Sequence, residues 1–304
     1  MAGLVGWTAL QTDADTLCLH AAAARIGNKT ILFVAPFGTG KSSLIASLAA
    51  KGAEIMSDDA LLFDAPTLSI QGMNLALRLR RRFIDFASVP LQHWVEANRL
   101  YAGRRYVFLK PREVSAARFS VTDVMLLNRQ PDPVAVSAVE VPTSRILPRL
   151  IWHNLSRHHA PSRISMLATR LAAGVRCSSL NFSDAEMAAE FLLSGDFTLG
   201  KHVDGALLES FSSANIQLTR TDNGAIVSND DNGQIFEINE TAFVIWTLIG
   251  KFGGRDEILN ALEVIYEGTP QVELGLELDR CVNLFCGNGF IPHGRGAELL
   301  EIGA

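Results

Sequence analysis

Nine consecutive residues at positions 35–43 have the types and the spacing of a phosphate-binding loop. They are Ala35, Pro36, Phe37, Gly38, Thr39, Gly40, Lys41, Ser42 and Ser43. The run fits the pattern G-x-x-x-x-G-K-[ST], with alanine in the position of the first glycine. Glycine lets a loop direct successive backbone N–H groups at an anion, and the lysine then reaches the β- and γ-phosphates of a nucleotide. The run therefore predicts a binding site for ATP.

Three oxygen-bearing side chains could handle a metal ion or a proton beside those phosphates. Ser42 supplies the hydroxyl that such loops offer to Mg²⁺. Asp58 and Asp59 come one helix and one short strand after Lys41. An isolated pair of aspartates is more often a solvated turn, but a general base or a metal-binding carboxylate of a phosphoryl-transfer site stands at this position. The pair therefore predicts that one carboxylate contacts the reacting groups and that the other faces a metal ion, water or the rest of the protein.

The elements that would hold these residues are indicated by apolar patterning. The apolar run 30–34 predicts a strand that enters the loop, and a helix is expected from Ser42 with its positive end at the anion. Apolar runs such as 30–34, 54–56 and 124–127, which predict strands, alternate with amphipathic stretches over the first ~200 residues, and this pattern is typical of an α/β domain. Residues 150–196 are expected to be mainly helical, with Ser183 and Glu186 forming a capping box. We assign residues 1–198 to this domain and the polar stretch 199–215 to a linker.

The remainder has the pattern of a second, smaller domain at 216–304. Asn-Gly turns separate short apolar runs and predict hairpins, and three amphipathic stretches come after them. The predicted strands are 216–219, 225–228 and 235–238, and the predicted helices are 240–249, 255–266 and 272–286. Three strands followed by three helices indicate a winged-helix-like unit.

Charge is distributed unevenly along the 304 residues, whose net charge is −5. Residues 1–200 hold 21 Lys+Arg and 16 Asp+Glu, whereas residues 201–304 hold 6 and 16. Nine basic residues fall within 78–112, which is either an anion-binding surface or a solvated helix face. Nucleic acid is not expected as a partner, because the acidic second domain would repel a phosphate backbone.

Composition also bears on the compartment. No apolar run approaches the ~18 residues that a membrane span needs, and the first twenty residues lack a basic signal-type segment. The four cysteines have neither the spacing of a metal site nor that of a disulfide framework. These features predict a cytoplasmic protein with unpaired thiols and no membrane partner.

The stretch 19–59 resembles the HPr kinase/phosphorylase family and its peptide-modifying relatives. The resemblance rests on Leu19-His20, the loop 38–43, Lys51-Gly52 and the run Ser57-Asp58-Asp59. It implies a P-loop kinase core that uses ATP and Mg²⁺, with Lys41, His20 and Asp58 as catalytic residues and Asp58 as the base. It implies Ser42 and Asp59 as metal ligands and a homo-oligomer as one option for the assembly. The chain departs from the family at residues 76–78, where Ala76 replaces the metal-site acid, and this puts phosphorolysis in doubt. HPr itself is not expected as the substrate.

Residues 216–292 resemble the PqqD family of leader-peptide recognition domains. The resemblance rests on the order of elements and on the segments 239–242, 245–246 and 288–291. It implies that a leader peptide adds as a strand beside the third strand and lies against the third helix. The implied groove consists of Gln234, Ile235, Phe236, Glu237, Ile238, Glu277, Arg280, Cys281 and Leu284. For Ile245 and Trp246 we expect a role in the core.

Together the two parts predict an ATP-dependent peptide kinase that phosphorylates a hydroxyl, most simply that of serine, on a ribosomally synthesised precursor held by its leader. Kinases that tailor lasso peptides are the nearest functional comparison. Two alternatives remain from the sequence. One is a non-catalytic ATP-binding adaptor that presents a peptide to a partner enzyme, and the other is a nucleotide-responsive regulator.

Overall fold

The computed structural model describes residues 14–73, 75–110, 118–156, 158–195, 210–213 and 215–300. They form a mixed α/β structure with four sheets and ten helices within the described ranges. The chain divides into two compact units. The first lies within Met1–His159 and Met166–Leu207, and the second lies within Ala160–Ser165 and Leu208–Ala304. The division near 208 falls inside the predicted linker 199–215, of which residues 199–209 and 214 lie outside the described residues.

A six-stranded sheet in the first unit brings the ends of several strands to one edge. Its order is β12-β13-β11-β3-β2-β4. The strands are β2 Ala22–Ile26, β3 Lys29–Val34, β4 Glu54–Ser57, β11 Asp123–Arg129, β12 Ser137–Glu140 and β13 Arg176–Phe182. Strands β3, β11 and β13 are parallel, and β2 is antiparallel to both β3 and β4. The carboxyl ends of β3, β4, β11 and β13 therefore meet at one edge, where α/β sheets bind ligands.

Two helices cover one face of this sheet. They are α1 Lys41–Ala50 and α6 Ala185–Ser194. Leu44, Ile45 and Leu48 of α1 are fully buried in one cluster with Phe33 and Phe182 of the sheet. A buried aliphatic or aromatic side chain contributes roughly 1.5–3 kcal/mol, so this packing holds α1 and the loop before it against the sheet.

Two smaller antiparallel sheets and further helices complete the first unit. One sheet has the order β1-β5-β6-β10 and the other β7-β9-β8. Their strands are β1 Thr16–Leu19, β5 Leu61–Asp64, β6 Ser69–Gly72, β7 Arg78–Arg80, β8 Arg99–Ala102, β9 Tyr106–Leu109 and β10 Phe119–Ser120. The helices are α2 Arg81–Asp85, α3 Val89–Ala97, α4 Thr143–Trp152 and α5 Pro161–Gly174. The first turn of α5 groups with the second unit.

The second unit is an antiparallel four-stranded meander followed by helices. Its strands are β14 Ser210–Ser213, β15 Ile216–Thr221, β16 Gly224–Asn229 and β17 Gln234–Asn239. Its helices are α7 Glu240–Lys251, α8 Arg255–Ile265, α9 Gln271–Gly287 and α10 His293–Leu299. Gly224 begins β16 at φ 144, where a Cβ would lie 2.0 Å from the carbonyl oxygen of Ile238, so only glycine fits. Asn239 caps α7 by accepting a 2.8 Å hydrogen bond from the N–H of Ala242.

The strands predicted at 30–34, 54–56 and 124–127 and the helix predicted from Ser42 are confirmed, as are the three strands and three helices predicted after 216. Other expectations were incomplete or wrong. Residues 150–196 are mainly helical, as expected, but they also include the buried strand β13, which was not predicted. Residues 210–213 form β14 rather than linker, and α10 was not predicted. Asp184, not Ser183, caps α6, because its carboxylate accepts from the N–H groups of Glu186 and Met187.

Two expectations drawn from the composition can be compared with the structure. All four cysteines are free, as expected, and all four are buried. Within the described residues, no helix has both the length and the apolar character needed to cross a membrane.

Candidate functional site

The loop between β3 and α1 has the backbone conformation that an anion-binding loop requires. Gly38 and Gly40 have φ values of 88 and 102, which residues with a Cβ rarely adopt. Thr39 folds the loop inward, because its hydroxyl donates a 2.9 Å hydrogen bond to the carbonyl oxygen of Pro36. Gly40 is the N-cap of α1, and its carbonyl accepts from the N–H of Leu44 at 2.9 Å. The backbone N–H groups of the first turn of α1, which have no partner within the helix, therefore lie directly after the loop.

The predicted loop residues do not all face the same way. Ala35 is 1% exposed and packs in the core, whereas Phe37 is 77% exposed. Of the nine, seven line a cavity of about 600 Å³: Pro36, Phe37, Gly38, Gly40, Lys41, Ser42 and Ser43. Ala35 and Thr39 belong to the loop but do not line the cavity. Alanine in the first glycine position is thus accommodated as a buried residue directly after β3.

Lys41, His20 and Asp59 form a continuous hydrogen-bonded chain at the edge of this cavity. The Nζ atom of Lys41 lies 3.1 Å from Nε2 of His20, and Nδ1 of His20 lies 3.2 Å from Oδ1 of Asp59. A lysine ammonium only donates, so Nε2 accepts and Nδ1 carries the proton that is donated to Asp59. Burial lowers the pKa of Lys41, against the attraction of Asp58 and Asp59. The hydrogen bond from His20 is the main cause that lowers the pKa of Asp59, which is therefore ionised near neutral pH.

His20 reaches this position because it immediately follows β1. Its backbone N–H donates a 2.7 Å hydrogen bond to the carbonyl oxygen of His153. The two imidazole rings lie 5.7 Å apart at an angle of 32°. Burial, reinforced by His20 and Lys41, lowers the pKa of His153 to about 4, so this ring is neutral at physiological pH. His153 thus packs against His20 without adding charge to the site.

Asp58 points to a different part of the site from its neighbour. Its carboxylate hydrogen-bonds the side chain of Ser42, and its Oδ1 atom is buried without a hydrogen-bond partner in the described residues. Burial raises the pKa of Asp58 to about 6, while Lys41 and Ser42 lower it. Ser57 fixes the turn, because its hydroxyl donates to the carbonyl oxygen of Ala60 at 2.6 Å. A buried carboxylate oxygen without a partner, next to a serine hydroxyl, is chemically suited to a divalent cation.

The described residues contain no cluster of three or more His, Cys, Asp or Glu side chains that would hold a metal ion by themselves. A Mg²⁺ bound here would therefore take one carboxylate and one hydroxyl from the protein. Its other ligands would be phosphate oxygens and water, which is the usual arrangement for Mg²⁺ with nucleotides.

Four arginines line the cavity: Arg78, Arg80, Arg82 and Arg129. The first three belong to the basic segment 78–112, for which an anion-binding surface was one of the two interpretations, whereas Arg129 was not predicted. Arg129 lies across the loop, with Nη1 3.6 Å from the position that a Cβ on Gly40 would take. Arg129 could have been found from the sequence, since it comes after the apolar run 124–127 and so ends a strand of the parallel sheet. Arg78 and Arg80 required the position of β7, which the sequence did not predict.

The second unit contains the residues predicted to bind a peptide, but the structure does not gather them in one groove. Strand β17 is at the edge of its sheet within the described residues. Glu277 and Arg280 line a cavity of about 400 Å³ between α7, α8 and α9, to which the described residues of β17 do not contribute. Leu284 is 40% exposed.

Two members of the predicted groove are corrected. Cys281 and Ile238 are each 4% exposed and belong to the core of the second unit, so their side chains do not form a groove wall. The ring of Phe236 makes an edge-on contact with the ring of Phe290, with 5.5 Å between the ring centroids. Gln234, Ile235 and Glu237 remain at the surface or half-buried along β17. Ile245 is in the core as expected, and Trp246 packs against that core.

No protein-family model matches the chain, and a search of curated proteins finds no significant match. The resemblances to the HPr kinase and PqqD families therefore stay predictions, and the function is inferred from the geometry of the site.

Proposed function

We propose that the first unit is an ATP-dependent kinase with a P-loop core of the HPr kinase type, and that it phosphorylates a hydroxyl of a peptide. The observation that carries this proposal is the chain Lys41–His20–Asp59 beside the loop. It joins the lysine that would contact the donor phosphates to a carboxylate that lines the same cavity. A purely structural ion pair would not need a histidine between the two charges or an open cavity beside them.

The residues available for the nucleotide fit its chemistry. The N–H groups of the loop and the first turn of α1 would hold the phosphates, and Lys41 would add a point charge. Ser42 and Asp58 would hold Mg²⁺, whose role is to neutralise charge on the phosphate oxygens. The partnerless oxygen of Asp58 supports this assignment.

The two aspartates exchange the roles that the family resemblance implies. Asp59 lines the cavity and is oriented by His20, whereas Asp58 lies against Ser42. We therefore assign the base to Asp59 and the metal site to Asp58. In the reaction, the acceptor oxygen bonds to the γ-phosphorus, the bond to the β,γ-bridging oxygen breaks, and ADP leaves. Asp59 accepts the hydroxyl proton, and His20 keeps the carboxylate in place.

For the second unit we propose a PqqD-like, winged-helix module that captures the leader of a ribosomally synthesised precursor. The support is the edge position of β17, whose outer backbone groups could pair with an added strand. Tethering would raise the acceptor concentration to roughly millimolar, so that the catalytic cavity could bind it weakly. A cytoplasmic location and a homo-oligomeric assembly are part of this proposal.

The test is transfer of ³²P from [γ-³²P]ATP·Mg²⁺ to serine-containing peptides by the purified full chain. We expect labelled phosphoserine with the wild-type protein and no transfer with Lys41→Met or Asp59→Asn. Asp132→Asn is a matched control, because Asp132 is an exposed carboxylate away from the cavity. Label transfer by Asp59→Asn at the wild-type rate would remove the proposed base.

A second candidate function is a nucleotide-binding adaptor without turnover. It is favoured by Ala76, which stands where the resembling family has a metal-site acid, and by the small number of carboxylates near the loop in the described part of the chain. Tight ATP binding with no formation of ADP in the presence of any peptide would support the adaptor instead of the kinase.

A further inference from the structure

Strand β7 presents two arginines to the cavity from one face. Leu79, between them, is 1% exposed and packs in a core cluster with Leu91 and Val107. Because side chains alternate along a strand, Arg78 and Arg80 both point away from that core, about 7 Å apart. Both line the 600 Å³ cavity. The basic segment 78–112 therefore contributes at least these two cations to the candidate active site.

Aromatic rings, not carboxylates, hold both guanidinium groups. Arg78 lies over the ring of Tyr106 at 5.0 Å, and Arg80 lies over the ring of Phe37 at 5.6 Å. Among the described residues, neither forms an ion pair with an acidic side chain. Stacking orients a guanidinium while leaving its N–H groups available in the plane. Two oriented arginines without carboxylate partners at a cavity wall indicate an anionic ligand.

The two arginines serve different ends of the cavity. Arg80 approaches the phosphate-binding loop, with Nη2 4.0 Å from the position that a Cβ on Gly38 would take. Arg78 is close enough to Asp59 to act on its charge. With Lys41, Arg129 and Arg80 around the loop, the donor phosphates already have three cations. Arg78 is left at the carboxylate to which the acceptor hydroxyl must come, and Arg82 also lines the cavity.

We propose that Arg78, together with Arg82 of the same cavity, binds a carboxylate next to the acceptor hydroxyl, so that the preferred substrate is a serine flanked by aspartate or glutamate. This inference rests on the proposed kinase function and specifies its substrate class. The geometry supports it, since Arg78 and Arg82 line the same cavity as Asp59, and the ring of Tyr106 orients the Arg78 guanidinium while leaving its N–H groups available.

The experiment compares two peptides of equal length, one with Asp and one with Asn on each side of a single serine. For the wild-type protein we expect kcat/KM to be about tenfold higher for the acidic peptide, as for one charge-assisted contact. Arg78→Gln should remove the preference, and Arg78→Glu should reverse it toward a Lys-flanked peptide. Arg104→Gln is the control, because it removes an exposed arginine of the same segment outside the cavity. It should keep the tenfold preference.

The outcomes separate the two proposals. Equal kcat/KM for acidic and neutral peptides, or a preference that survives Arg78→Gln, would overturn the inference while leaving the kinase in place. Absence of transfer to every peptide, with nucleotide binding intact, would overturn the kinase function and this inference with it. Binding of the fluorescently labelled acidic peptide in the presence of ADP gives a readout without turnover, and Arg78→Gln should weaken it by a similar factor.

Discussion

Replacing His20 tests whether the histidine connects the loop lysine to the proposed base. In His20→Ala, Asp59 loses the donor at 3.2 Å and Lys41 loses the acceptor at 3.1 Å. Hydrogen bonds to charged groups are worth about 1.5–3 kcal/mol each. If the transition state uses the Asp59 contact in full, the rate falls by about 10–100-fold, since ~1.4 kcal/mol is a factor of ten. Positioning and base contributions of this type lie at the low end of the range for acid–base catalysis.

The assay is single-turnover transfer of ³²P from ATP to peptide, with nucleotide affinity measured separately by a fluorescent ADP analogue. We expect the transfer rate to fall at least tenfold and the nucleotide affinity to change by less than about threefold, because the loop N–H groups are retained. His93→Ala is the matched control, since His93 is exposed on α3. A His20→Ala rate within threefold of the wild type would refute the connection between loop and base.

Three further predictions concern the loop, the metal and pH. Gly40→Ala should weaken nucleotide binding at least tenfold, because the backbone at φ 102 is strained for alanine. Gly52→Ala, at φ 91 in open space, should lower stability without changing nucleotide binding. Calorimetric titration measures the binding, and thermal unfolding measures the stability. Asp58→Asn should raise the Mg²⁺ concentration needed for half-maximal transfer at least tenfold with little change in ADP affinity without metal, and an unchanged Mg²⁺ dependence would exclude Asp58 as a ligand. Burial lowers the pKa of His153 from 6.5 to about 4, so the unfolded chain binds a proton below pH 6.5 that the folded chain does not, and stability falls as pH drops toward 4. Between pH 7 and pH 5, the free energy of unfolding in urea should fall by about 1 kcal/mol less for His153→Gln than for the wild type, a figure that is discounted because the ring is partly exposed. Equal losses in the two proteins would contradict this.

Local signals in the sequence were sufficient for the elements that carry the loop. The glycines of 35–43, the apolar run before them and the helix after them are confirmed in β3 and α1 because each depends on neighbouring residues only. The hairpin turns after 216 were predictable for the same reason. Strand β13 was missed because Ser178, Ser179 and Asn181 interrupt its apolar residues, so the segment has neither a continuous apolar run nor a regular strand alternation.

The contacts within the site depend on tertiary structure and could not be predicted from local pattern. The spacing of Asp58 and Asp59 placed both at the end of β4, but which carboxylate turns toward His20 is decided by the turn that Ser57 closes with Ala60. Arg78 reaches the cavity from a separate small sheet, and His153 packs against His20 from the end of α4. The groove predicted from β17 and α9 failed at Cys281 because a helical period alone does not tell a groove face from the core face.

The most direct test of the central claim is mass spectrometric analysis of an acidic serine peptide after incubation with the full chain, ATP and Mg²⁺. We expect a single phosphorylated serine and stoichiometric ADP with the wild type, and neither product with Asp59→Asn despite unchanged nucleotide binding. Bound ATP that stays intact, or ADP released without phosphate on any hydroxyl of the peptide, would contradict the assignment of a peptide kinase.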